Sequence, residues 1–267
     1  MSDFKTYLIS KFRMDIMKKI ERTPLLTVYI LKFLLRAAVF ISVLAVYLTH
    51  KDILVDFMTH RFFSIVERGI TPLHILWGCF MIMMIRHLFP AEFVTMALKK
   101  EKRKEYNENP LYDKTELFQF VKEQNIRAWT VMLIWLSFNA VFAALYLFGV
   151  IGKADLLMLT VFYFLSDYIC ILFYCPFQTF IMKNKCCVNC RIYDWGHFMM
   201  FTPMLFIKNF FSWSLFFTSL VVLIKWEIVY SKHPERFWYG SNKSLQCANC
   251  KDRTCRLKKK TYNKDKK

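Results

Sequence analysis

The stretch Ala128–Val150, AWTVMLIWLSFNAVFAALYLFGV, holds 23 residues without a single charge, and its reading decides the fold. At about 1.5 Å of rise per residue, a helix of this length covers a bilayer core of about 30 Å. A soluble amphipathic helix would interrupt such a run with charge at about every turn. The chain is therefore expected to be all-α and a polytopic integral membrane protein. Four or five transmembrane helices are expected, with an N-terminal amphipathic interfacial helix before them.

The same pattern recurs on both sides of this segment. Upstream, Leu25 to Leu48 is long enough to span, although Lys32 and Arg36 lie four apart on one face and must either snorkel or turn into the bundle. Ile70 to Phe89 forms the next span, punctuated by Pro72 and closed by Arg86, His87 and Pro90. Downstream of the turn marked by Gly149 and Gly152, Ala154 to about Met182 is longer than a span needs and is expected to tilt or break before Pro176. The last apolar stretch, Phe198 to Tyr230, is interrupted by Pro203, Lys208 and Lys225. The uncharged part between its lysines reaches only about 24 Å, short of a full crossing.

Three regions follow: an interfacial arm over 1–23, a helical membrane domain over 24–230 containing the cysteine-bearing loop 183–197, and a basic, cysteine-bearing tail over 231–267. In the arm, Phe4, Leu8, Phe12, Ile16 and Ile20 recur every four residues among lysines, as an in-plane helix requires.

Composition agrees with this class. The chain is 56% hydrophobic and 18% aromatic with only six glycines and seven prolines, far from a soluble balance. Its formal charge of +18 is concentrated in connecting segments and tails, which suits the bilayer and its anionic headgroups as partners. Nucleic acid is not expected, because no RNA-recognition signature, zinc finger or basic zipper accompanies the charge. No protein partner is readable. Six Lys/Arg precede the first apolar run and no small-residue cleavage site follows it, so that helix is expected to act as its own anchor. Frequent Lys, Asn, Ile and Phe suit AT-rich bacterial coding, and the expected location is the inner (plasma) membrane.

Lysine and arginine counts place the N-terminus and the segment from Arg86 to Arg127 in the cytoplasm. A single crossing by the last stretch would then export a tail bearing 12 Lys/Arg against three acids. Either that stretch turns back, or it overrides the loop charge; a re-entrant or interfacial course is slightly favoured.

Chemistry is concentrated in two cysteine triplets: Cys186, Cys187 and Cys190, then Cys247, Cys250 and Cys255. Each contains a Cys-x2-Cys, which lets two sulfurs turn toward one metal. Cys187, Cys190, Cys247 and Cys250 are the expected ligands of one zinc that staples the loop to the tail, as in a scaffold or sensor. An iron-sulfur cluster, drawing also on Cys186 and Cys255, is the alternative and would make the chain an electron carrier. Stapling ranks ahead of catalysis because an all-thiolate site leaves no open coordination position. Cys79, Cys170 and Cys175 lie in apolar runs and read as packing residues, with Cys175 near enough to the membrane edge to join.

Asp167 sits in the middle of the fourth span, where a carboxylate needs a partner or water; Lys32, Arg36 and Lys208 are the candidates. A structural ion pair is the plainer reading and an ion or proton relay for a transporter the sharper one. Arg191, Asp194 and His197 follow the first triplet, and His233 and Glu235 precede the second. Together they could line a polar pocket of a lipid-modifying enzyme at the membrane edge. No phosphate loop, dinucleotide fingerprint or nucleophile elbow is present to name a reaction.

Overall fold

In the computed structural model, residues 24–59, 72–89, 99–100, 105–184 and 186–250 are described. The arm expected over 1–23, and Cys255 with the rest of the tail, lie outside them. The long elements are α1 (Pro24–Thr49), α2 (Lys51–Thr59), α3 (Pro72–Leu88), α4 (Lys114–Leu147), α5 (Lys153–Leu172), α6 (Gly196–Phe201) and α7 (Phe210–Lys232). A π-helical turn, Phe177–Met182, follows α5, and 3-10 turns flank α6 at Arg191–Trp195 and Thr202–Phe206. Strands are absent among the described residues; one isolated bridge pairs Glu108 with Asn242.

Four helices, Leu26–Thr49, Lys114–Leu147, Lys153–Leu172 and Phe210–Lys232, are long and apolar enough to cross a membrane, and α3 is a shorter apolar helix. Their outward faces suit a lipid environment. Leu31, Leu35, Ile41 and Leu48 on α1, and Leu133, Val141 and Leu147 on α4, are all exposed, an apolar surface that water would disfavour.

Local chemistry explains the helix ends. Asp113 caps α4 by accepting a hydrogen bond from the Thr115 amide, so this helix starts 14 residues before its uncharged part and carries Lys114, Glu116 and Arg127 toward one rim. It stops where Gly149 adopts φ +74°. The amides of Gly149 and Val150 then return to the carbonyls of Tyr146 and Leu145, the paired closure that a left-handed residue allows. After Leu172, α5 breaks, because Pro176 lacks an amide hydrogen and disfavours helical backbone at Cys175. The chain resumes as the π-helical turn and leaves it through Lys183 at φ 52°.

Side-chain contacts give the direction of each helix. α1 and α5 are antiparallel, with Tyr29 stacked on Tyr168, Phe40 against Phe162, and Tyr47 and Lys51 bonded to Asp155. α3 and α7 run the same way, because the Trp77 indole donates to Ser214 Oγ and the Trp226 indole to the His87 carbonyl. At the start of α4, Gln124 accepts from Asn184 and Arg127 donates to the Met182 carbonyl.

One end of the bundle therefore gathers the start of α1, the end of α3, the start of α4, loop 183–197 and the end of α7. Segment 105–113 completes it, with Asn109 donating to the Ser241 carbonyl and Lys243 to Asn107. The last apolar stretch is two elements rather than one short crossing. Gly196–Phe206 runs into the bundle, where Phe201 meets Phe80 and the Trp135 indole donates to Thr202. α7 then begins at the far end, with His74 against Phe211, and returns. Because α7 has 23 residues, the 24 Å limit drawn from the lysine spacing does not apply: Lys208 precedes the helix. The tail begins at the same end as the other Lys/Arg-rich segments, which removes the conflict in the charge pattern.

Gly149 supports one direct test. A Cβ added there would meet nothing within 4 Å, so Gly149→Ala carries only the penalty of a left-handed backbone, about 1 kcal/mol. The expected result is a small fall in the thermal midpoint of detergent-purified protein.

Candidate functional site

Asp167 is where the buried polar chemistry starts. Arg36 reaches across from α1 and donates at 2.8 Å to its carboxylate and at 2.7 Å to the Phe164 carbonyl. The guanidinium lies between the rings of Phe164 and Tyr168, at 4.1 and 4.0 Å. Arg36 is buried, while the Asp167 side chain keeps about a third of its surface accessible (32%). Of the candidate partners, Lys32 instead stands over the Tyr29 ring. On the far side of Asp167 lies Gly196, where an added Cβ would approach Oδ1 to 3.1 Å.

Next along the chain, Asp194 is buried against the fully buried Lys100, with Nζ to Oδ2 at 2.6 Å. His87 Nε2 stands 3.4 Å from its other oxygen, longer than a good hydrogen bond. Burial pushes the Asp194 carboxyl up, but Lys100 and His87 outweigh it and hold it below the usual value. His197 packs edge-on to His87 at 5.0 Å. Burial, then the charges of His87 and Arg36, hold His197 well below the usual imidazole value, against an opposing pull from Asp194.

The remaining polar candidates are distributed elsewhere. Arg191 forks onto Glu227, also donates to Asn125, and lies over the Tyr230 ring. Trp195 donates to the same Glu227 at 2.7 Å. Its neighbours border a second cavity, with Ser231 and Pro234, at the end of α7. His233 and Glu235 pair with each other at 3.2 Å. Arg191, Asp194, His197, His233 and Glu235 thus do not share one pocket: Arg191 pairs with Glu227, Asp194 with Lys100 and His233 with Glu235, while His197 packs on His87.

The two cysteine segments do meet. Asn189 donates to the Leu245 carbonyl at 3.5 Å, and Cys186, Val188 and Leu245 share an apolar cluster. Their sulfurs face different ways, however. Cys187 donates to Gln178 Oε1 at 3.0 Å, Cys190 is buried, Cys247 is exposed, and Cys250 lies 3.9 Å from Lys99 Nζ. Among the described residues no three His, Cys, Asp or Glu side chains are grouped so as to hold a metal ion. Cys187, Cys190, Cys247 and Cys250, the expected ligands of one zinc, are thus not grouped around a common point among the described residues: Leu245 packs on Cys186 and Val188 at the outer side of the loop, and Cys187 and Cys190 line the inner side.

Inward lies a cavity of about 500 Å³ between α4, α5 and the 187–200 segment. Its wall is largely apolar, from Trp135, Phe138, Phe162 and Met200, and Phe138, Phe162 and Tyr174 are exposed at its rim. Ser166, Asp167, Gln178 and Tyr193 supply its polar groups. Cys170, Cys175, Cys187 and Cys190 also line it, and none of the described cysteines is in a disulfide. Burial, with the neighbouring sulfurs of Cys175 and Cys187 adding to it, pushes the Cys190 thiol up to about 12. Sequence reasoning assigned Cys170 and Cys175 to packing. The signal that brings them to the site is Pro176, whose break folds the chain back beside α5.

Two measurements follow. Arg36→Met leaves the Asp167 carboxylate without its cation and is expected to cost about 3 kcal/mol, and adding Asp167→Leu should recover much of the loss. Thermal midpoints of the two variants in detergent check this. For His197, the unfolded chain takes up a proton below about pH 6.5 that the folded chain refuses, so stability falls as pH drops through that value, by up to about 1.4 kcal/mol per pH unit. Melting curves from pH 7.5 to 5.5 should fall more steeply for the natural protein than for His197→Gln.

Comparison of this chain with protein-family models, with curated proteins and with solved structures gives no match.

Proposed function

We propose that this multi-pass membrane protein takes a bilayer-dissolved amphiphile into the cavity between α4 and α5. The occupant has an apolar body and a head that accepts hydrogen bonds. The observation that carries this reading is the cavity's asymmetry. Its rim is made of exposed Phe138, Phe162 and Tyr174, and Phe138 is flanked on α4 by exposed Leu133, Ile134, Leu136 and Val141, so a molecule arriving there comes from lipid. Its remaining lining includes hydroxyls, thiols and Asp167, the few polar groups that orient a ligand in a largely apolar pocket. A volume of about 500 Å³ accommodates a ring system with part of a tail.

The end of the bundle that gathers the Lys/Arg-rich segments is assigned to the cytoplasm of the plasma membrane, in keeping with the positive-inside pattern. Rival uses of the polar residues have less support. Arg36 already neutralises Asp167, which weakens an ion relay. Asp194 is closed in by Lys100 and His87, which weakens acid/base work on a lipid headgroup.

Ser166 stands on the wall of this cavity and is only half-buried, so Ser166→Trp places an indole in the space. In phosphatidylcholine vesicles, a diazirine-bearing alkyl ketone should label the α4 and α5 wall in the natural protein. The variant should lose most of that labelling while keeping its thermal midpoint within a few degrees. Equal labelling of both would defeat the reading.

A further inference from the structure

Resting on that reading of the cavity, we infer that Cys187 and Cys190 are a redox-active dithiol, oxidised to a disulfide by a quinone-class molecule held beside them. The two residues close a turn, Cys187-Val188-Asn189-Cys190, in which the Cys190 amide donates to the Cys187 carbonyl at 2.9 Å. Such a turn keeps its outer Cα atoms within about 7 Å, at the edge of the range of about 4.4 to 6.8 Å that a disulfide bridges. Both residues line the cavity. Cys186, next in the chain, packs with Val188 and Leu245 in a different cluster.

The two sulfurs have different surroundings. Cys187 is half-buried and its thiol donates to Gln178 Oε1, whereas Cys190 is buried and holds its proton tightly. Cys187 is therefore the attacking sulfur and Cys190 the resolving one.

The chemistry of the pair selects the class of oxidant. Joining two thiols releases two electrons and two protons, so the acceptor must take both and must arrive through lipid. A quinone has an apolar ring and tail, carbonyl oxygens that accept hydrogen bonds, and room for that electron pair. Cys187 adds to a ring carbon, forming a C–S bond, and its proton passes to the ring oxygens. Cys190 then attacks the Cys187 sulfur. The S–S bond forms, the C–S bond breaks, and its electron pair stays on the ring. The Cys190 proton completes the hydroquinone, so one disulfide and one quinol appear together.

The test uses the full chain, reduced and freed of reductant, in phosphatidylcholine nanodiscs without oxygen. A decyl-chain benzoquinone bearing a diazirine is added in the dark, and quinol is followed by absorbance while the disulfide is mapped on peptides. One quinol per chain with a Cys187–Cys190 bridge is expected. Cys187→Ser and Cys190→Ser should each lower quinol formation roughly tenfold or more, and the Cys247→Ser, Cys250→Ser double variant should leave it unchanged. A bridge on another pair, or no quinol, overturns the inference. Illumination separates its failure from that of the cavity reading: label on the α4 and α5 wall without a bridge removes only the redox step, whereas no label on that wall removes the ligand reading as well.

Discussion

The pairing of Arg36 with Asp167 is the constraint on which the bundle is organised. Two charges inside an apolar assembly must find each other, since an isolated one carries a desolvation cost of several kcal/mol. Their meeting fixes α1 against α5 in register, with the guanidinium filling the space between Phe164 and Tyr168. It also determines what can pass on the other side. Asp167 Oδ1 stands so near Gly196 that even a methyl group there would be tight, so the start of α6 is seated directly on the carboxylate. The cavity wall and the entry point of the final apolar stretch thus depend on the same pair.

A second buried polar cluster has a different character. Lys100, Asp194 and His87 come from three separated segments and meet at the end of the bundle where the basic segments gather. Lys100 also faces the rings of Tyr193 and Phe237, at 5.2 and 4.9 Å. The cation is thereby satisfied by a carboxylate and two aromatic faces without contact with water. Together with the Arg191 and Glu227 fork, this pins loop 183–197 between α3 and α7. That loop is consequently held firmly enough to present Cys187 and Cys190 to the cavity in one arrangement.

Much of the fold was legible because long uncharged runs have few alternatives. Ala128–Val150 lies almost wholly within α4, and Pro176 interrupts α5 as its missing amide requires. The last stretch was misjudged because residue counting between Lys208 and Lys225 ignored where α7 starts. Helix boundaries, not charge spacing, set its length. The site was less legible. Cys-x2-Cys spacing indicates that two sulfurs can approach each other, but it is silent on which way a loop turns them. Here Leu245 captures the outer side of the loop, a tertiary contact without a local sequence signature. Cys170 and Cys175 resembled packing residues because Pro176 marks a break in the helix but not the cavity that the break opens. His87 and Lys100 were hidden for a similar reason, since their partner Asp194 is far along the chain.

The broken course of Gly196–Phe206 bears on how the bundle is closed. Pro203 and the 3-10 turn around it interrupt the hydrogen-bond ladder that a continuous helix would carry. This segment therefore depends on α3, α4, α5 and α7, which surround it. The stretch from Gly196 to Lys232 is thus a plug and its own strap, one element filling the interior while the other closes the seam along α3.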